Sequence, residues 1–240
     1  MDEITSAAVK AGHIRAVYGI ISDKGRVSRL EISNATGLSL MTVGKITDAL
    51  AEKKVIVYES AKTCGAGRKA SVAGVRRDVY FAVFEVTEKN IIFDVYKCDG
   101  ELICSVRGNE SDIFEKAVML FVERELVGKI LCAAVISENE SGDFSERVKR
   151  ELGIEAVSLC DSTYLAALGY LTKSKAENLL YISGNRGVYL SSADSSPICG
   201  EITDGDAVAA FFKTEPVYAE GSDYARLGAL YLGLRRYITK

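Results

Sequence analysis

The 240-residue chain has a single histidine, His13, and its six cysteines include no C-x-x-C pair. With one imidazole and no paired thiols, a zinc site is not expected. A Ser-His-Asp triad would have to recruit His13 from inside the first helical segment, so hydrolytic chemistry of that type is set aside. No apolar run approaches the ~18 residues that span a bilayer, and the N-terminal MDEITSAAVKAGH lacks the charged start and apolar core of a secretory leader. These absences lead to the expectation of a cytoplasmic protein without a membrane partner. Its cysteines, at 64, 98, 104, 132, 160 and 199, are read as buried or incidental thiols in a reducing compartment. What the chain does have is apolar content, 48% of residues, ample for a packed core.

The net charge of −3 hides an asymmetry. Residues 1–77 carry 13 Lys and Arg against seven Asp and Glu, a net +6, whereas the remainder carries 17 against 26. A basic head on an acidic body suits phosphate binding by counterion release in the head.

The head also carries the most specific pattern in the chain. RVSRLEISNATGLSLMTVGKITDAL, from Arg26 to Leu50, reads as two short helices around a glycine turn. Ser28 and Glu31 form an S-x-x-E capping box for the first, with Leu30, Ile32 and Ala35 as its packing residues, and Gly37 stops it. Ser39 can cap the second, in which Val43, Ile46 and Leu50 recur at helical spacing as a buried stripe. Met41, Thr42 and Lys45 are left on the opposite side, in the first two turns, where a recognition helix meets base edges. A preceding helix presents Ile14, Val17, Tyr18 and Ile21 at the same spacing. The following VIVYE and ASVAGV read as strands flanking a small-residue tip that ends in Arg68 and Lys69. The pattern predicts a winged helix-turn-helix over residues 1–77. Ser39, Met41, Thr42 and Lys45 then face the major groove of double-stranded DNA, Arg26 and Arg29 the phosphates, and Arg68 with Lys69 forms the wing contact. Gly44 is an objection, since glycine inside a helix costs about 1 kcal/mol relative to alanine unless something must approach its backbone closely.

From about Asp78 the period changes. Three β-rich runs (80–86, 91–96 and 101–107) are followed by a helix over 111–127, the strand ILCAAVI, a charged helix FSERVKREL, the strand IEAVSLC and a helix DSTYLAALGYL. This order predicts a ribonuclease-H-like half of an actin-like domain. A second copy begins with NLLYIS and GVYLSS and then runs short, with only the helical DYARLGALYLGLRRYI to follow.

On these segments the chain resembles the ROK family of sugar-responsive repressors and sugar kinases. RVSRLEISNATGLSLMTVGKITDALAEKKVI with GAGRKA is similar to the family's DNA-binding segment and wing. FAVFEVTEKNIIFDVYKCDGELI resembles its first phosphate-loop hairpin, CDSTYLAALGYL its N-D-A-N-A-A-A-L-A-E segment, and LYISGNRGVYLSS its second glycine loop. The departures bear on chemistry. Glu85, Val86, Thr87, Glu88 and Lys89 stand where the family's kinases have D-x-G-G-T, putting bulk and negative charge where glycines admit ATP phosphates. The sugar-gripping E-x-G-H and the cysteine-rich zinc segment have no counterpart. Asp161 matches the phosphotransfer base implied by the resemblance. Because it immediately precedes an apolar helix, capping of that helix is the preferred reading, ahead of ligand contact and of catalysis. Gly184 and Gly187 in SGNRG are read as a hairpin turn, and Arg186 as a solvated cation.

The expectation is therefore an α/β chain with an N-terminal winged helix-turn-helix (1–77) and a reduced actin-like domain (78–240), acting as a kinase-inactive transcriptional regulator. No catalytic residue, metal or cofactor is assigned. The partners expected are a palindromic operator and a second copy of the chain, with a small-molecule effector left open. An active sugar kinase and a ligand-sensing or protein-interaction module with a vestigial helix-turn-helix are the alternatives.

Overall fold

The computed structural model describes residues 2–60, 71–98, 100–137, 142–159, 161–174, 178–183, 186–191, 198–201, 216–218 and 222–239. It divides into two compact units. The first comprises Met1–Tyr80, Lys97–Glu101 and Leu234–Lys240, and the second Phe81–Tyr96 and Leu102–Gly233.

The first unit starts with the long helix α1 (Asp2–Lys24) and the short strand β1 (Arg26–Ser28), followed by α2 (Arg29–Thr36) and α3 (Leu40–Glu52). The capping box forms as its sequence requires, with the Glu31 amide donating to Ser28 Oγ at 3.2 Å and the Ser28 amide donating back to Glu31 Oε2 at 2.8 Å. Gly37 ends α2 in the left-handed region at φ 71°, its N–H donating to the Ser33 carbonyl, a conformation that favours glycine. Strands β2 (Ile56–Ser60) and β3 (Ser71–Val75) lie on either side of the 61–70 segment and pair antiparallel. Strand β1 joins them on the far edge of β3, giving a three-stranded sheet in the order β1-β3-β2. At three residues, β1 is too short to show a period in the sequence.

Three helices and this sheet enclose one core. Ile14, Val17, Tyr18 and Ile21 of α1 are buried, as are Val43, Ile46 and Leu50 of α3, together with Val27, Val55, Ile56 and Ala73. In α2 only Ile32 is buried. Leu30 and Ala35, expected to pack beside it, face solvent, with Leu30 57% exposed. An eight-residue helix makes little more than two turns, and here it turns a single side chain inward. The last residues of the chain's final helix also belong to this unit. Tyr237 accepts from Lys53 Nζ through its carbonyl at 2.9 Å and donates its hydroxyl to the Lys53 carbonyl at 3.3 Å, fastening the C-terminal cap of α3.

The second unit begins with β4 (Tyr80–Val86), β5 (Ile91–Lys97) and β6 (Leu102–Gly108), then α4 (Ile113–Glu123), β7 (Ile130–Ser137), α5 (Gly142–Leu152), β8 (Ala156–Leu159) and α6 (Ser162–Ser174). This is the element order the sequence predicts. The strands form a sheet in the order β6-β5-β4-β7-β8, with β5 and β6 antiparallel and β7 and β8 parallel. Helix α4 ends at Glu123, short of the expected Val127, where Glu125 and Gly128 take positive φ and Leu126 turns into the core.

Alternation along β4 and β5 gives the sheet two different faces. Phe84 and Phe93 point to one, their rings 4.5 Å apart, and meet Phe114 and Phe121 of α4 and Phe144 of α5 at 5.6–6.3 Å. Their neighbours Glu85 and Asp94 point to the other. There Arg226 donates from Nε to Asp94 Oδ2 and from Nη1 to Glu85 Oε2, both at 2.6 Å, and the Tyr96 hydroxyl donates to Asp94 Oδ2 at 2.8 Å. Burial opposes the charge on Arg226, but the hydrogen bond to Glu85 and the charges of Asp94 and Glu85 outweigh it and raise its pKa.

A second sheet follows: β9 (Asn178–Ser183), β10 (Arg186–Ser191), β11 (Ile198–Glu201) and β12 (Pro216–Tyr218), in the order β11-β10-β9-β12. The second copy is thus longer than the sequence reading allowed. The order β11-β10-β9-β12 repeats β6-β5-β4-β7 of the first sheet, and β12 runs parallel to β9. The sequence hid β11 because all four of its residues are exposed, and β12 because three residues carry no alternation. Helix α7 (Ser222–Thr239) closes the chain and crosses α6 at a pair of glycines. A Cβ on Gly228 would fall on the Leu165 carbonyl, and one on Gly169 on the Tyr224 carbonyl.

Gly228→Ala therefore forces two helix backbones apart, and we expect a loss of ~2–3 kcal/mol in chemical denaturation. Arg226→Met leaves the buried Asp94 and the partly buried Glu85 without their cation, and a loss of ~3–5 kcal/mol is expected in the same measurement.

Candidate nucleic-acid interface

The exposed side of α3 is set by its stripe of buried residues. With Val43, Ile46, Thr47 and Leu50 turned inward, Met41 and Lys45 lie one turn apart on the outer face. Met41 is 73% exposed and Leu40, beside it, 53%. Among the described residues Lys45 has no ion-pair partner. Ser39 and Thr42 are occupied locally. Ser39 Oγ accepts the Thr42 amide at 3.1 Å as the N-cap, and the two hydroxyls bond each other at 2.9 Å. Of the four residues assigned to base edges, Met41 and Lys45 are the ones whose side chains carry no internal hydrogen bond.

Arg29 does not stand free toward solvent as the sequence reading has it. Its Nη2 donates to Asp48 Oδ1 on α3 and, at 2.7 Å, to the Tyr58 hydroxyl on β2, and Tyr58 in turn donates to Asp48 Oδ1 at 2.8 Å. The guanidinium lies 5.2 Å from the centre of the Tyr58 ring. The hydrogen bond to Tyr58, with the charges of Tyr58 and Asp48, raises its pKa against the opposing effect of burial. This three-residue joint ties the start of α2 to α3 and to the hairpin, so Arg29 is a positioning residue. Asp48 and Tyr58 were missed by sequence reasoning, because nothing in their spacing marks them as partners of Arg29.

Arg26 pairs with Glu59 at 2.6 Å, yet its side chain remains 68% exposed, and an exposed pair of this kind is worth little and exchanges readily with a phosphate. Arg68 and Lys69 lie outside the described residues. The same joint does not require a glycine at Gly44. The Arg29 guanidinium rests against it, with Nη1 3.5 Å from where a Cβ would stand, an ordinary van der Waals distance.

Asp161 lies in the second unit and is the N-cap of α6. Its Oδ1 accepts the Tyr164 amide at 2.9 Å, and Oδ2 pairs with Arg186 at 3.3 Å. Arg186 is exposed, as a solvated cation should be, but it is the first residue of β10 and not part of the turn. Gly184 lies outside the described residues, and Gly187 is within β10, paired with Ile182. A cleft of about 710 Å³ opens at the β4–β5 turn, lined by Val86–Ile91, Asn109–Ser111, Ser137, Asp143, Phe144 and Arg147. The turn closes on itself. The Thr87 amide donates to the Asn90 carbonyl at 3.0 Å and the Asn90 amide to Thr87 Oγ1 at 3.2 Å, while Arg147 stacks on Phe114 at 5.0 Å and pairs with Glu110. Among the described residues there is no cluster of His, Cys, Asp and Glu arranged to hold a metal, and no helix long and apolar enough to cross a membrane.

Neither a family model nor a curated protein matches the chain. Among solved structures it is similar to a ROK family transcriptional regulator, a homologue of the E. coli MLC protein, with a TM-score of 0.58 at 15% identity over 81% of this chain. The chain spans 57% of that regulator's length. The likeness establishes a mixed α/β fold of the actin-like type, and its coverage is more than the second unit alone could supply. A candidate sugar kinase from Cytophaga hutchinsonii (TM-score 0.36, 13% identity, 52% of each chain) is too distant to add to this. So is a candidate N-acetylmannosamine kinase from Listeria monocytogenes (0.34, 15%, 63% of this chain and 60% of that one).

Since the guanidinium leaves room for a methyl, Gly44→Ala is expected to raise stability by ~0.5–1 kcal/mol through helix propensity, read from denaturant midpoints at unchanged slope.

Proposed function

We propose that the chain is a DNA-binding transcriptional regulator of the ROK repressor type. Its first unit is a winged helix-turn-helix and its second a reduced actin-like body without phosphotransfer activity. One observation carries this reading: α3 presents Met41 and Lys45 outward from a helix pair tied together by the Arg29–Asp48–Tyr58 joint, within a segment carrying a net +6. Residues 56–60 and 71–75 then form the strands of the wing. Two such heads related by a two-fold axis fit a palindromic operator in the cytoplasm, and the body serves dimerisation or effector binding.

The absence of kinase chemistry is supported by the β4–β5 turn. A phosphate loop offers free backbone amides, but those of Thr87 and Asn90 are both used inside the turn, and Glu85 is held by Arg226. Asp161 is likewise engaged as a cap and by Arg186.

Genomic DNA pull-down with the full chain is expected to recover discrete sites. Lys45→Ala weakens binding to them, whereas Asp161→Asn leaves binding unchanged; equal loss in both variants, or no recovered sites, contradicts the proposal. Calorimetric titration with ATP and magnesium is expected to give no binding in the micromolar range, and micromolar binding contradicts the inactive body.

A further inference from the structure

The recognition face is unusual for what it can offer a base pair. Helix α3, LMTVGKITDALAE, contains no Arg, Asn or Gln, the side chains that read guanine and adenine bidentately. Thr42 is held by Ser39, and Asp48 by Arg29 and Tyr58. In the first two turns this leaves one side-chain cation, Lys45, and two large apolar groups in water, Met41 at 73% and Leu40 at 53% exposure. A major groove contains one apolar feature that such groups match, the C5-methyl of thymine. The net +6 of the head complements the phosphates that would bring the groove to this face, which favours DNA over a second protein as the occupant.

We infer that α3 selects its operator chiefly through thymine methyl groups, with Met41 and Leu40 seated against them and Lys45 on the O6/N7 edge of a neighbouring guanine. The inference rests on the proposed DNA-binding function and adds to it the kind of sequence that is read. Met41 is the principal specificity residue, since it shares the outer face with Lys45, and Leu40 flanks it. Specificity of this kind depends on methyl contacts and shape more than on hydrogen-bond pattern.

The test uses the full chain and a duplex selected by it from a randomised library. Thymines in the half-sites are replaced one at a time by deoxyuridine, which keeps every groove hydrogen-bonding group and removes only the methyl. Each contacted methyl is expected to cost about three- to fivefold in affinity. Met41→Ala is expected to lose a similar factor on the thymine duplex and nothing further on the corresponding deoxyuridine duplex. Met41→Gln, which keeps a helix-forming side chain of similar length, is expected to shift the selected base toward adenine at that position, and its thermal melt checks that the fold is intact. If every deoxyuridine duplex binds as tightly as its thymine parent while site-specific, salt-sensitive binding persists, this inference fails and the DNA-binding reading stands. If no duplex is selected and binding is absent at low salt, both fail, and the exposed Met41 and Leu40 belong to a protein contact.

Discussion

The first unit rests on its apolar core, and Arg29 adds the polar tie that joins its elements at the surface. One guanidinium joins the first residue of α2, the third turn of α3 and the middle of β2, through Asp48 and Tyr58. Charge-assisted bonds of this type are directional, so the joint adds orientation to the packing that apolar burial provides. The core beneath, from Ile21 to Leu50, supplies the cohesion. The inward stripe of Val43, Ile46, Thr47 and Leu50 determines which face of α3 remains outside, and the joint ties that helix to α2 and β2 at the surface. A residue expected to touch phosphates thus has a prior task within the protein.

In the second unit, the alternation of β4 and β5 separates two kinds of interaction. Phenylalanines on one face make an aromatic core with α4 and α5, and on the other Glu85 and Asp94 hold Arg226 of α7. Glu85 occupies the position that begins the phosphate loop in the family the sequence resembles. Here it anchors a helix, and the turn beyond it closes through Thr87 and Asn90. The same positions serve packing and closure.

Much of this was legible in the sequence where a local rule sufficed. The S-x-x-E box, the stop at Gly37, the inward stripes of α1 and α3, and the alternation of strands and helices from β4 to α6 follow from capping and periodicity. The capping role of Asp161 followed from its place before an apolar helix. What escaped depends on distant partners or on segments too short for a period. Arg29 meets Tyr58 across 29 positions and Arg226 meets Asp94 across 132, and no spacing announces either pair. Strands β1, β11 and β12 have three or four residues each, and their neighbours in the sheet, not their own sequence, make them strands. The exposure of Leu30 shows the limit of reading apolar residues as core when a helix has room for one inward position.

The account turns on whether the basic head is a DNA-reading surface, and the salt dependence of duplex binding measures this most directly. Affinity of the full chain for a recovered site should fall linearly on a double-logarithmic plot against salt, with a slope of several units set by the phosphates engaged, and should exceed affinity for random duplex by at least about a thousandfold. A flat salt response, or equal affinity for every duplex, would contradict the central claim and assign the helix pair to another role.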